Sequence, residues 1–220
     1  MEKILNFLSE LDQNNHREWF NAHKPVYQEA RHRFLDVIRD VIARMQLVDP
    51  MLANLEAEEA AFRIYRDVRF SKNKDPYKTH FAAFLAKGGR KSGNGGYYIH
   101  IHPEESFVGG GIYGPDKDTL RAIRQEILFQ PEKFRTILRE AEDQGLTMME
   151  KDKLKTGPKD FPKDSPHSDL IKYKHYILSA PLEGDIVRSP DFADRCTGRL
   201  APMKPFNDFL NTARDFTGNH

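Results

Sequence analysis

Residues 96–113, which read GYYIHIHPEESFVGGGIY, decide the fold of this chain. In the first half, apolar and polar residues alternate. In an extended chain this alternation places Ile99 and Ile101 on one face and Tyr98 and His100 on the other. After a short polar turn, SFVGGGIY has the length and composition of a following strand. The pattern therefore predicts two neighbouring strands of an antiparallel meander with one apolar and one polar face.

Three more segments have strand-like sequences. THFAAFLA at 79–86 predicts a strand, and the glycine-rich loop at 88–96 joins it to the stretch above as a hairpin. YKHYILSAPL at 173–182 predicts a further strand. AFRIYRDVRF at 61–70 also alternates. We expect the polar face of this last strand to carry Arg63, Tyr65, Asp67 and Arg69.

Helical spacing of apolar residues precedes and follows these strands in the chain. Residues 3–12 predict a short helix, Asn14 or Asn15 caps a second one, and a long helix begins at Pro25. The helical period returns in the C-terminal half. We predict an α+β fold, in which an antiparallel meander sheet packs with N-terminal and C-terminal helices, as a single domain over residues 1–220.

Composition limits the classes of function. Lys and Arg number 34 and Asp and Glu 33, so the net charge of +1 argues against a general polyanion binder. The single cysteine, Cys196, rules out a disulfide within the chain and a thiolate zinc site, as is usual for a reducing compartment. No apolar run reaches the roughly 20 residues that a membrane span needs. We expect a cytoplasmic protein that does not enter a membrane.

Charge is concentrated in residues 63–78, RIYRDVRFSKNKDPYK. This segment holds six basic and two acidic side chains, a local charge of +4 in a chain whose total is +1. Arginine offers paired donors that match carboxylate or phosphate oxygens, and the interleaved Tyr65 and Tyr77 add flat faces and neutral donors. The segment therefore indicates a site for an anionic small molecule.

Strand alternation suggests how the site is assembled. If the polar face of 61–70 meets that of the next strands, Arg63 and Arg69 grip the anion, and Tyr65 and Tyr98 stack or donate. His100 and Asp67 are the best candidates for an acid or base, although the residues specify no reaction and no cofactor. The remaining candidate ligand-binding residues are Arg66, Lys72, Lys74, Tyr77 and Lys78.

Other interpretations of these residues stay open. Basic side chains with interleaved aromatic rings also suit single-stranded nucleic acid. An arginine-rich face can equally be an internal ion-pair network or a surface that docks another protein, with no ligand. His100 and His102 are able to share an ion on one strand face, but no third ligand is specified, so we predict no metal site.

Long segments of the chain resemble a widespread family of bacterial and fungal conserved hypothetical proteins, catalogued as a domain of unknown function. The resemblance runs through NNHREWFNAHKPVY at 14–27, FRIYRDVRFSKNKDPYK at 62–78, GGYYIHIHPEESFVGGGIYGPD at 95–116 and LKTGPKDF at 154–161. It implies a single-domain α+β protein and brings no established activity, cofactor or catalytic residue. It adds Ser71 to the candidate ligand-binding residues. The signature positions that it singles out are Arg63, Arg66, Asp67, Arg69, Ser71, Lys72, Lys74, Tyr77 and Lys78.

Overall fold

The computed structural model of the chain describes residues 1–162 and 165–215. Within these residues, five strands form one antiparallel sheet in the order β1-β2-β3-β5-β4. The strands are β1 (Phe81–Leu85), β2 (Gly96–Ile101), β3 (Phe107–Ile112), β4 (Thr147–Met148) and β5 (Tyr176–Pro181). The predicted meander is confirmed in β1, β2 and β3, and the predicted strand near 173–182 is confirmed as β5. The two-residue β4 is too short to leave a pattern in the sequence.

Helices flank the sheet at both ends of the chain, which confirms the predicted α+β class. The N-terminal helices are α1 (Glu2–Gln13), α2 (Arg17–Ala22), α3 (Lys24–Val48) and α4 (Ala57–Ala60). The later helices are α5 (Lys117–Phe129), α6 (Pro131–Asp143), α7 (Gly184–Arg188), α8 (Phe192–Leu200) and α9 (Lys204–Asp215). Pro25 lies in the first turn of α3, as predicted, because the missing N–H of proline would have no partner there. The cap of α2 is His16 rather than Asn14 or Asn15.

One face of the sheet forms the core. Its central side chains include Tyr97, Ile99 and Ile101 of β2, all buried, and α3, α8 and α9 lie against β1 and β3 on this side. Burial of each large apolar side chain contributes about 1.5–3 kcal/mol, so the alternation of β2 fixes which face turns inward. The backbone packs tightly here: a Cβ at Gly111 would lie 1.9 Å from the Tyr176 carbonyl oxygen.

Within residues 1–162 and 165–215, no helix layer covers the opposite face of the sheet. The register places Phe84 of β1 beside Tyr98 of β2, and Tyr98 beside Gly109 of β3. His100 lies between its strand partners Ala82 and Phe107 in the next row. We call this side, made by alternate residues of the strands from Ala82 and Phe84 to Ile177 and Ser179, the open face.

The predicted strand at 61–70 is wrong. This segment contains only two isolated bridges, Ala61 with Ala83 and Tyr65 with Tyr77, and otherwise runs as a loop. Phe70, which alternation would place on an apolar face, is 96% exposed. The polar side chains of the segment hydrogen-bond to nearby backbone, which competes with a strand ladder. We call residues 63–77 the signature loop.

Candidate functional site

A pocket of about 460 Å³ opens on the open face. Its walls are mainly aromatic and aliphatic, with a few polar groups at the rim, which is typical of sites for small molecules. Gly109 lies in its floor beside Tyr98, where the lack of a side chain leaves space above the sheet. The lining residues are Phe62, Phe84, Arg90, Gly93, Asn94, Tyr98, Phe107, Gly109, Ile112, Tyr113, Met149 and Ile177.

A continuous row of rings crosses the open face beside this pocket. The ring of Phe62 meets that of Tyr98 edge-on with centroids 6.2 Å apart, and Tyr98 lies 5.6 Å from Phe107. Phe107 stacks on His100 at 4.6 Å, and His100 lies 4.1 Å from His80. The register of β2 and β3 creates this row, because paired residues of neighbouring strands share a face.

Tyr98 and His100 are joined by a hydrogen bond. The Tyr98 hydroxyl oxygen and His100 Nδ1 are 3.1 Å apart. Burial raises the pKa of Tyr98 to about 12. Burial, followed by repulsion from His80, His102 and Lys78, lowers the pKa of His100 to about 3. The pKa of His80 is lowered to about 4, again mainly by burial. All three side chains are therefore uncharged at neutral pH.

Arg90 lines the pocket, Lys78 lies over the ring of Phe62, and Arg63 is close enough to Lys78 to affect its pKa. Lys78 places its amine 5.3 Å from the centroid of the Phe62 ring. Burial, and then repulsion from Arg63 and Arg90, lower the pKa of Lys78. Arg90 donates from Nη1 to the backbone oxygens of Glu58 and Glu59. Among residues 1–162 and 165–215, no carboxylate forms an ion pair with Arg63, Lys78 or Arg90. The pocket thus has a positive edge.

The far rim of the pocket is built by Tyr113. Its ring stacks on His175 at 4.3 Å and 7°, and the amine of Lys151 lies 3.3 Å from its hydroxyl. Asn94 is held from both sides of its amide: Nδ2 donates to the Lys87 carbonyl at 2.9 Å, and Oδ1 accepts from the guanidinium of Arg214 at 2.7 Å. These contacts fix the rim.

The polar residues of the signature loop mostly bind one another. Arg66 donates to the Asp75 carbonyl at 3.1 Å and to the Ser71 hydroxyl at 3.4 Å. Arg69 forms a two-point pair with Asp67 at 3.0 and 2.7 Å, which lowers the pKa of the Asp67 carboxyl. The amine of Lys74 donates to the Val68 carbonyl at 3.0 Å. These side chains therefore shape the loop.

The two tyrosines of the loop lie on the helical side of the molecule. Tyr77 is only 5% exposed and stacks on Phe20 of α2 with centroids 3.9 Å apart. The side chain of Asn15 bonds both backbone groups of Tyr77, at 3.0 and 3.1 Å. Tyr65 is 47% exposed and meets Phe20 and Tyr77 with its ring. The expected meeting of Tyr65 with Tyr98 depended on the strand at 61–70, and the structure does not bring the two together.

The structure thus divides the predicted residues into two groups. Lys78, Tyr98 and His100 meet at the open face, with Arg63 close to Lys78. Lys72 is an exposed residue of the signature loop. The residues that remain in or under the loop are Tyr65, Arg66, Asp67, Arg69, Ser71, Lys72, Lys74 and Tyr77.

Sequence reasoning missed most of the pocket walls. Phe84 and Phe107 could have been predicted as pocket walls, because strand alternation combined with hairpin register places both on the face of Tyr98. Arg90, Tyr113 and Met149 lie outside the paired positions of the strands, in loops whose positions depend on tertiary contacts. No pattern in the sequence indicated them.

Two further observations concern metals and membranes. Among residues 1–162 and 165–215, no group of three or more His, Cys, Asp or Glu side chains is arranged to hold a metal ion. In the same part of the chain, the helices are too short or too polar to cross a membrane.

Fold and pocket together define an α+β protein with an antiparallel sheet, one face of which is covered by helices while the other carries an aromatic pocket. The chain belongs to the family described as conserved hypothetical protein DUF2461, whose sequence profile matches residues 3–209. A search of curated proteins and a search of solved structures found no match.

Proposed function

We propose that this protein binds a small molecule that has a flat apolar body and an anionic group, such as a phosphate or carboxylate, in the pocket of the open face. The observation that carries the proposal is the position of aromatic walls beside a positive edge. Phe62 belongs to both, since it lines the pocket and lies under the Lys78 amine.

The aromatic walls of the pocket are the reason to propose a flat apolar body for the ligand. Phe62, Phe84, Tyr98 and Phe107 line the pocket. Aromatic rings attract other rings by stacking and edge contacts worth about 0.5–1.5 kcal/mol each beyond burial. A pocket of about 460 Å³ falls within the range of small-molecule sites.

The cations beside the pocket are the reason to propose an anionic group on the ligand. Arg90 uses Nη1 for backbone carbonyls, which leaves Nη2 and Nε to act as paired donors toward a ligand. Lys78 adds a second positive charge. Burial, and then repulsion from Arg63 and Arg90, lower its pKa, so a bound anion would relieve the repulsion among the three cations.

Calorimetric titration with phenyl phosphate and benzoate tests this proposal. Arg90→Met and Lys78→Met should each weaken binding about tenfold or more, because a hydrogen bond to a charged group contributes about 1.5–3 kcal/mol. Lys72→Met, the same exchange at an exposed lysine of the signature loop, is the control and should leave binding unchanged. Two results would overturn the proposal: no binding of either probe at millimolar concentration, or an equal loss in the control variant.

A second candidate function is binding of single-stranded nucleic acid by the signature loop. The observation that favours it is Phe70, which is 96% exposed and lies next to Arg69, whose guanidinium carbon is 5.9 Å from the ring centroid. A base stacked on one aromatic ring contributes about 1–3 kcal/mol, and nearby cations such as Lys72 would meet phosphates. A labelled oligothymidylate should then bind at low salt, lose affinity in Phe70→Ser, and dissociate as salt rises. Absence of binding at low salt contradicts this candidate.

A further inference from the structure

The hydrogen bond between Tyr98 and His100 determines which polar group the pocket offers to a ligand. Both side chains project from the same face of β2, and the hydroxyl oxygen lies 3.1 Å from Nδ1. The imidazole ring is fixed between two neighbours, His80 at 4.1 Å and Phe107 at 4.6 Å. The pair is thus held in one orientation by packing.

The direction of this hydrogen bond follows from acid and base strength. A phenol is a stronger acid than a neutral imidazole N–H, and an imidazole nitrogen is a stronger base than a phenol oxygen. The favoured pair therefore has the Tyr98 O–H donating to His100 Nδ1, with the imidazole proton on Nε2. Burial of both groups keeps them uncharged, as the pKa of about 12 for Tyr98 and about 3 for His100 indicate.

We infer that Tyr98 presents the lone pairs of its hydroxyl oxygen, and not its proton, to the pocket, so that the site selects a ligand whose flat body carries a hydrogen-bond donor such as an amine or a hydroxyl. The inference rests on the proposed function for the existence of the ligand. It makes Tyr98 a specificity-determining residue and His100 a positioning residue that acts through Tyr98.

Two other polar groups of the pocket offer hydrogen-bond donors to a ligand, whereas Tyr98 offers an acceptor. Arg90 can only donate. The Tyr113 oxygen accepts from the Lys151 amine, which leaves the Tyr113 proton free to donate. The ligand would therefore carry acceptors or an anionic group toward the rims and a donor toward the middle of the open face.

Two aryl phosphates test the inference. The protein should bind 4-aminophenyl phosphate roughly threefold to tenfold more tightly than 4-nitrophenyl phosphate, the range that one neutral hydrogen bond supplies. Tyr98→Phe should remove this preference while still binding both probes. His100→Leu should reduce or reverse it, because the freed hydroxyl proton can then turn toward the ligand. His32→Leu, the same exchange at an exposed position of α3, should keep the preference.

A spectroscopic measurement tests the same inference without a ligand. In ¹⁵N-labelled protein at pH 7, the imidazole nitrogen shifts of His100 should show a neutral ring protonated at Nε2. Protonation at Nδ1 would overturn the inference, as would equal affinity for the two probes or an unchanged preference in His100→Leu. Failure of both probes to bind would instead overturn the proposed function, and the imidazole shifts would still decide the direction of the hydrogen bond.

Discussion

The signature loop and the open face differ in where their polar and aromatic groups are used. The loop has most of the local charge, yet Arg66, Arg69 and Lys74 bind acceptors within the loop itself. The open face has fewer charges, but its rings border a pocket, and Lys78 has no carboxylate partner among the described residues. A dense cluster of functional side chains in sequence is therefore weak evidence for a site, because what counts is which groups remain unsatisfied.

Backbone hydrogen bonding explains this difference. A strand satisfies its N–H and C=O groups through the ladder, so its side chains are free for other contacts. A loop has no ladder, and its backbone needs partners from side chains. Lys74 supplies one to the Val68 carbonyl, and Asn73 accepts from the Asp75 amide at 2.7 Å. The open face belongs to strands, which leaves Tyr98 and Phe107 available to a ligand.

Among the replacements that compare the two regions, that of Tyr77 should change the free energy of unfolding most. Tyr77→Ala should lower the free energy of unfolding by about 3–5 kcal/mol, because it removes a buried ring that stacks on Phe20. Urea unfolding followed by circular dichroism measures the loss. Tyr65→Ala, at a half-exposed ring of the same loop, is the control and should cost less. A loss below about 1 kcal/mol for Tyr77→Ala would show that this ring is not part of the core.

Acid should destabilise the protein through the two buried histidines of the open face, His80 and His100. The folded pKa values of His80 and His100, about 4 and about 3, lie below the usual 6.5 of histidine. The unfolded chain therefore binds more protons below pH 6.5. The stability from these groups is lost as pH falls from about 6.5 through about 4 for His80 and through about 3 for His100. Unfolding at pH 5 should take up as many as two extra protons.

The double variant His80→Phe, His100→Phe keeps two flat rings and removes both titrating groups. We expect its free energy of unfolding to change less between pH 7 and pH 5 than that of the parent protein. Urea titrations at four pH values in this range measure the difference. An identical slope in the two proteins would show that neither histidine is desolvated.

Arg66 tests whether the signature loop depends on its own side chains. Arg66→Ala removes the bonds to the Asp75 carbonyl and the Ser71 hydroxyl and should cost about 1–2 kcal/mol. Hydrogen exchange of amides in residues 66–76 should speed up, while exchange in β2 should not change. Arg69→Ala breaks an exposed pair and should have a smaller effect. Equal protection in Arg66→Ala and the parent would contradict this role.

Replacement of Phe70 should have the smallest effect on the free energy of unfolding. Because its ring is 96% exposed, Phe70→Ser should change the free energy of unfolding by no more than about 0.5 kcal/mol. Ile64→Ser, at a buried residue of the same loop, is the control and should destabilise the protein strongly. A loss above about 1.5 kcal/mol for Phe70→Ser would mean that the ring packs against the protein.

The sequence by itself determined the parts of this protein that follow from periodicity. Alternation in the first half of residues 96–113 determined β2 and the shared face of Tyr98 and His100, because one side of a half-buried strand must be apolar. The length and composition of the second half indicated β3. The helical stripes fixed α1 and α3. Each of these depends on contacts between neighbours in the chain or on a simple inside–outside pattern.

Only the tertiary structure decided where the functional groups lie. The segment at 61–70 alternates as a strand would, but its polar side chains bind the local backbone and the ring of Tyr65 packs against Phe20 of α2. The pocket needs Phe62, Arg90 and Tyr113, which come from separate loops. Such convergence depends on long-range packing free energy, and no local pattern records it.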